Sequence, residues 1–293
     1  MDLWQKYLRP KSVEEALAGL ASAPGPACPI AGGTDLLLDL QQGHHPPVHT
    51  LVDVTTIPEM TKLEVRTDQL FIGAAVPLSH LVASDLVQEH AQALLEAAQL
   101  VAGPQVRNTA TLGGNVVHAL PAADGTIALM VLEAQAEIAD LHGRRRISMA
   151  DLFLGPGKSN VHIERELLVG FYLPLRHAHQ ASAFRRIMRA QGIALPVLNL
   201  SVWLERRSKI IRDVRIAVGP GGPTPWRAGP AEEALRGHPF TASTRETARR
   251  VLLERASFRS SAYRASAEYR THLAGILLDE TLCSAWKRAE MDS

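Results

Sequence analysis

The chain has 293 residues, of which 46% are hydrophobic and 21% charged, and its formal net charge is +1. Such a length exceeds one small core and points to two domains, the first of them divided. The near-zero charge gives no electrostatic case for nucleic acid or an anionic membrane. No run of about eighteen apolar residues exists, and Met1-Asp2-Leu3-Trp4 lacks the basic start and apolar core of a signal peptide. The expected compartment is therefore the cytoplasm. Cys28 and Cys283 stand alone and far apart, which excludes a disulfide framework and any zinc or iron–sulfur cysteine pattern. A metal redox centre, if one serves this chain, must sit on another.

In chain order, Tyr7-Leu8 is a short strand closed by Pro10. Ser12 and Glu15 read as a capping box that opens a helix to about Ala21. Cys28 to Ala31 is a brief apolar strand that runs into Gly32-Gly33, and Thr34 or Asp35 can cap a following helix, Leu36 to Gln41. Strand, glycine turn and helix start together present backbone amides and a positive dipole end to a phosphate. Val48 to Val54 is another strand, which completes a small βαβαβ unit. No Gly-x-Gly-x-x-Gly follows the strand, so the unit is not a Rossmann fingerprint. His44, His45 and His49 flank Pro46-Pro47 in an exposed loop, and a metal reading of them is set aside.

From Leu63 the texture changes to short strands, Leu63 to Val65 and Leu70 to Ala74. Pro77 and Ser79 open a short helix, Val87 to Val101 a longer one, and Gly103-Pro104 ends it. The stretch from Val106 to Asp124 follows. In it Thr109 and Thr111 lead into Gly113-Gly114-Asn115. Adjacent glycines let a ligand approach the backbone, and successive amides of such a turn make a nest for a phosphate. Thr111 and Asn115 add a hydroxyl and an amide, and Asp124 is placed to take a sugar hydroxyl. An ordinary Gly-Gly hairpin is the competing reading. The earlier turn Ala31-Gly32-Gly33-Thr34-Asp35 favours a ligand with two phosphates.

Ile127 to Ala134 reads as an apolar helix, and Ala136 to Ser148 as a hairpin turning at His142-Gly143. Gly155-Pro156-Gly157-Lys158-Ser159 mimics the tail of a P-loop, but the required earlier glycine is Leu152, so nucleotide triphosphate binding is rejected. Leu167 to Leu173 is a strand ended by Pro174, where a domain boundary is expected. Beyond it lie three strands (Ala183 to Arg189, Leu195 to Glu205, Ile211 to Val218) and three helices (Ala231 to Arg236, Arg245 to Ala256, Ser261 to Leu278). The arginines of that tail read as a solvated face. No nucleophile or acid–base constellation stands out, so a cofactor is expected to supply the chemistry.

Taken together, these residues resemble a known family, the FAD-binding medium subunit of molybdenum hydroxylases such as carbon monoxide dehydrogenase and xanthine dehydrogenase. The resemblance is carried by Ala31 to Leu36, Arg107 to Asn115, Ala119 to Asp124, Asp151 to Lys158, Val218 to Arg227 and Tyr263 to Arg270. It implies an α+β chain. Residues 1–175 would form a two-subdomain FAD-binding module of the vanillyl-alcohol-oxidase-like type, divided near residue 55, and residues 176–293 a C-terminal domain with an antiparallel sheet and helices. Backbone groups of Ala31, Gly32, Gly33, Thr34, Asp35 and Leu36, and of Ala110, Thr111, Gly113, Gly114 and Asn115, would hold the FAD pyrophosphate. Asp124 would lie by the flavin, as a polar contact to FAD or a support for the loop that makes one, and Phe153 and Leu154 by its ring or adenine end. This sequence departs from the family pattern at His118, Leu120 and Gly192, and a common lysine is replaced by Arg185 or Arg186, with His118 and Arg185 taken as cofactor contacts. The implied function is electron transfer, from an iron–sulfur small subunit to FAD here and on to an acceptor. A molybdopterin-binding large subunit would hydroxylate the substrate. A self-sufficient FAD oxidoreductase and a non-enzymatic assembly protein are the rival readings.

Overall fold

The computed structural model describes residues 3–188, 195–262 and 264–291. Its first unit is a three-stranded parallel sheet in the order β1 (Lys6–Leu8), β3 (Thr50–Asp53), β2 (Ala27–Ile30), with α1 (Val13–Ala21) and α2 (Leu36–Gln42) as the connecting helices. This is the expected βαβαβ arrangement. Helix α1 buries Val13, Ala16, Leu17 and Leu20, a stripe at helical spacing. Ser12 Oγ accepts the Glu15 amide at 3.0 Å, while the Glu15 carboxylate takes the amide of Lys11 at 2.6 Å, one residue earlier than a standard capping box. At α2 neither expected cap forms, since Asp35 has helical backbone angles and no side-chain cap bond.

The second unit is a five-stranded antiparallel sheet in the order β4 (Leu63–Arg66), β5 (Gln69–Gly73), β10 (Leu167–Pro174), β6 (Gln135–Asp140), β7 (Gly143–Ser148). Asp140 tightens the β6–β7 turn by accepting the amides of His142 and Gly143 at 2.7 and 2.9 Å. Six helices fill the span between β5 and β6: α3 (Leu78–Val82), α4 (Asp85–His90), α5 (Gln92–Leu100), α6 (Pro104–Arg107), α7 (Leu112–Val117) and α8 (Asp124–Val131). The single helix expected over 87–101 is two. Ser84 caps α4, the backbone leaves helical angles at buried Ala91, and the amide of Ala93 is turned to Ser182 Oγ at 3.0 Å. Gly103-Pro104 begins α6 rather than ending a helix, with the proline at the first position where its missing amide costs nothing. A small hairpin, β8 (Phe153–Gly155) and β9 (Lys158–Ser159), follows β7.

The third unit is an antiparallel sheet, β11 (Gln180–Met188), β12 (Pro196–Arg207), β13 (Ile210–Gly219) and β14 (Trp226–Arg227), with α9 (Gly229–Leu235), α10 (Ala242–Arg255) and α11 (Ala267–Met291). Helices cover both of its faces. On one side α11 packs on β11 and β12, and α9 on β13; on the other α5 packs on β11, and α8 on β12 and β13. Strand alternation sorts β12 accordingly. Leu198, Leu200, Val202 and Leu204 join the core under α11, while Trp203 joins the core of the preceding units. The final helix starts six residues later than expected and runs on to Met291. One arginine expected on a solvated face, Arg270, is buried instead. Among the described residues no helix is long and apolar enough to cross a membrane.

Candidate functional site

Two glycine-bearing loops far apart in sequence meet in space. The first leaves β2 at Ala31 and enters α2, turning at Gly33 with φ of +68°. Only glycine holds that left-handed conformation without strain. The second runs from Thr109 into α7. Gly32 brings them together: a Cβ there would fall 2.0 Å from the carbonyl oxygen of Thr109 and 3.0 Å from the Cα of Ala110. Among the described residues, no protein group accepts the amides of Gly32, Gly33, Thr34, Asp35 and Leu36. Successive free amides on a left-handed turn form an anion nest.

The second loop is not the glycine turn expected of it. Gly113 and Gly114 lie within α7, with Thr111 as its cap, accepting the Gly114 amide at 3.2 Å. The amides of Leu112 and Gly113 are taken by the carbonyls of Val76 and Ala74 at 3.1 and 2.8 Å. The two glycines therefore serve different ends. A Cβ at Gly113 would meet the Cβ and carbonyl of Ala74 at 2.6 Å, so its bareness seats α7 on the segment after β5. Gly114 is exposed, with only the Thr111 hydroxyl near (3.2 Å), so its face is open. Ala110 is fixed by its carbonyl, which accepts the Leu78 amide at 2.9 Å, and Asn115 Oδ1 accepts the Gly125 amide at 3.1 Å, joining α7 to α8. A diphosphate with an organic body fits this junction: a nest on one side, an open helix start on the other, and glycine where bulk would intrude.

A model of the FAD binding domain in molybdopterin dehydrogenase matches residues 3–176, and one of the CO dehydrogenase flavoprotein C-terminal domain matches residues 182–285. The chain belongs to this molybdenum-hydroxylase flavoprotein family. It is 30% identical over 281 residues to the xanthine dehydrogenase FAD-binding subunit of Escherichia coli O157:H7, covering 95% of each chain. To the carbon monoxide dehydrogenase medium chain of Hydrogenophaga pseudoflava it is 29% identical over 97% of each. A solved structure of carbon monoxide dehydrogenase from the same organism superposes with a TM-score of 0.90, covering 97% of this chain and 98% of that one at 30% identity. Quinoline 2-oxidoreductase from Pseudomonas putida 86 gives 0.88 at 27% identity, over the same shares.

In this flavoprotein the other expected contacts lie where tertiary packing puts them. Asp124, the first residue of α8, is 4% exposed, and its carboxylate oxygens already have protein donors: Asn199 Nδ2 at 2.7 Å and the Arg186 guanidinium. It therefore supports the loop instead of offering a free acceptor to a sugar hydroxyl. Burial pushes its pKa from 3.8 up to about 6, against the pull of Arg186 and Asn199. Arg186 also donates to the carbonyl of Leu100, so one side chain clamps the helical segment and the C-terminal sheet together. Arg185, the expected cofactor contact, is on the other face of β11. It donates to Ser284 Oγ on α11 at 3.2 Å and pairs with Glu96 at 3.4 Å. Strand alternation separates the two arginines, a signal present in the sequence once the strand is placed.

His118 ends α7 on the surface, beside Ala119, whose carbonyl accepts the Gly157 amide at 3.0 Å. The Phe153 ring is buried in the main core and so is not free to meet a flavin, whereas its neighbour Leu154 is 63% exposed. Gly192 lies outside the described residues, as does Tyr263. Sequence reasoning missed Asn199 and Gly219. A Cβ on Gly219 would meet Asn199 Oδ1 at 2.5 Å and the carbonyl of Pro121 at 2.7 Å, so this glycine lets β13 approach the loop before α8. Among the described residues no three His, Cys, Asp or Glu side chains gather as a metal set.

Proposed function

We propose that the FAD pyrophosphate lies where the two glycine loops meet, held by the amides of residues 32–36 and flanked by Thr111 and Gly114 at the start of α7. The single observation that carries this reading is the contact of Gly32 with Thr109 beside five amides without protein acceptors. Residues 1–175 form the FAD-binding module in this reading, with subdomains divided near residue 55 and a vanillyl-alcohol-oxidase-like arrangement, and residues 176–293 form the C-terminal domain. Asp124, Arg186 and Asn199 hold the two together at the flavin's edge, and Leu154 is the apolar contact left free for the ring system. Free thiols at Cys28 and Cys283 suit the reducing cytoplasm, the compartment we propose.

The chain is the FAD-carrying electron-transfer subunit of a molybdenum hydroxylase complex. An iron–sulfur small subunit and a molybdopterin-binding large subunit are its partners, and the oxidoreductase passes electrons from the clusters to an external acceptor. Bound FAD supplies the conversion between one-electron and two-electron transfer. The chain's own residues bind and orient it: amides neutralise the diphosphate, glycines admit it, and the Asp124 cluster keeps the loop before α8 in position.

Replacing Gly114 by valine tests the assignment. Its face is open, so the side chain displaces little protein beyond the Thr111 hydroxyl, yet it occupies the ground a diphosphate needs. The variant is expected to purify folded, with native circular dichroism, and depleted of flavin. Full FAD occupancy in that variant removes the start of α7 from the site.

A further inference from the structure

Away from the flavin loops, the start of α11 carries positive charge that the fold does not balance. Arg270, in its first turn, is 5% exposed. One guanidinium nitrogen donates to the carbonyl of Arg259 at 2.9 Å, and the buried Nε has no partner. Among the described residues no carboxylate pairs with it. The other arginines with deeply buried side chains differ: Arg186 has Asp124, Arg206 has Glu290 and Arg215 has Glu133. Burial, then the guanidinium groups of Arg264 and Arg259, push the Arg270 pKa down, and no neighbouring acid raises it. Glu268 is exposed in the same turn and forms no ion pair with these arginines. The serines nearby are spent on the helix start: Ser260 Oγ takes the Ala267 amide at 2.9 Å and Ser266 Oγ the Tyr269 amide at 3.2 Å.

A buried guanidinium is costly without a counter-charge. Its planar fork matches two oxygens of one anion, and the N-terminal end of a long helix adds a favourable dipole. One buried guanidinium without a carboxylate, with the more accessible guanidinium groups of Arg264 and Arg259 near it, favours a dianion over a single carboxylate. We propose that Arg270, with Arg259 and Arg264, forms a binding site for a phosphate-type oxyanion at the start of α11. The site is separate from the flavin loops and stands whether or not their assignment does.

The test is calorimetric titration of inorganic phosphate into the FAD-loaded chain in phosphate-free buffer, with phenyl phosphate as a second probe. Loading with FAD keeps either probe off the glycine loops. One saturable site per chain is expected, weakened by about tenfold or more in Arg270→Gln. Because that change touches the packing of α11, a second variant, Arg259→Gln with Arg264→Gln, alters only more accessible side chains; it should weaken binding in the same direction with an unchanged Tm. Binding of phenyl phosphate as well identifies a phosphoryl group on an organic carrier as the ligand. Binding of inorganic phosphate alone identifies the free anion, and both results uphold the site. No binding heat up to about 10 mM phosphate, or binding that both variants leave unchanged, overturns it.

Discussion

Gly32→Ala is the most informative single perturbation. The added Cβ would fall 2.0 Å from the Thr109 carbonyl oxygen and 2.6 Å from its carbonyl carbon, and real Cβ atoms essentially never approach a neighbour closer than 3.0 Å. The obstacle is backbone, so no side-chain rotation relieves it, and the two loops must part by about 1 Å. A hydrogen bond near 2.9 Å stretched by that much lies beyond the range in which it counts. A diphosphate gripped by both loops then loses one or two charge-assisted bonds, each worth about 1.5–3 kcal/mol. FAD affinity should fall by roughly 10- to 10⁴-fold. The assay is fluorescence titration of the apo chain with FAD, run beside thermal melts to follow folding. Gly43→Ala is the control: its φ is positive (+75°) and nothing lies within 4 Å of its added Cβ, so it should cost stability and leave FAD affinity alone. A Gly32→Ala chain that folds and binds FAD within threefold of wild type would refute joint gripping by the two loops.

Two other outcomes follow from the same geometry. The Asp124 pKa is raised from 3.8 to about 6, so between those values the folded chain holds a proton that the unfolded chain has released; the group adds stability as pH falls through that window and loses it as pH rises. Relative to Asp124→Asn, wild type should therefore be more stable near pH 4 than near pH 7 by up to about 3 kcal/mol, read from urea melts at both pH values; parallel curves, or a difference of opposite sign, would mean that the Arg186 pair outweighs burial. The isolated FAD-loaded chain, mixed anaerobically with a purine, aldehyde or aromatic substrate, should keep its oxidised flavin spectrum, and reduction should appear only with the iron–sulfur and molybdenum subunits present; bleaching of the chain alone would favour a self-sufficient oxidoreductase.

The linear sequence was enough for the features that depend on near neighbours. Apolar spacing and the Ser12 cap specified α1, the strand–glycine–helix order specified the parallel βαβαβ unit, and the Gly32-Gly33 pair marked the turn between β2 and α2, because a left-handed glycine is a local fact. Tertiary contact decided the rest. Gly113-Gly114 has the composition of a turn, yet it is helical because the carbonyls of Ala74 and Val76, some forty residues away, cap the start of α7. Buried Ala91 breaks an alanine-rich segment that local propensity would leave continuous. Arg185 and Arg186 are chemically alike in the sequence, and only the alternation of β11 between two helical layers gives one to Ser284 and the other to Asp124. Asp124 reads as a free acid for a ligand until Asn199 and Arg186, brought from the C-terminal sheet, fill its oxygens. A chain can encode its turns and periodicities locally; which polar groups remain free for a ligand depends on partners that only folding brings within hydrogen-bonding distance.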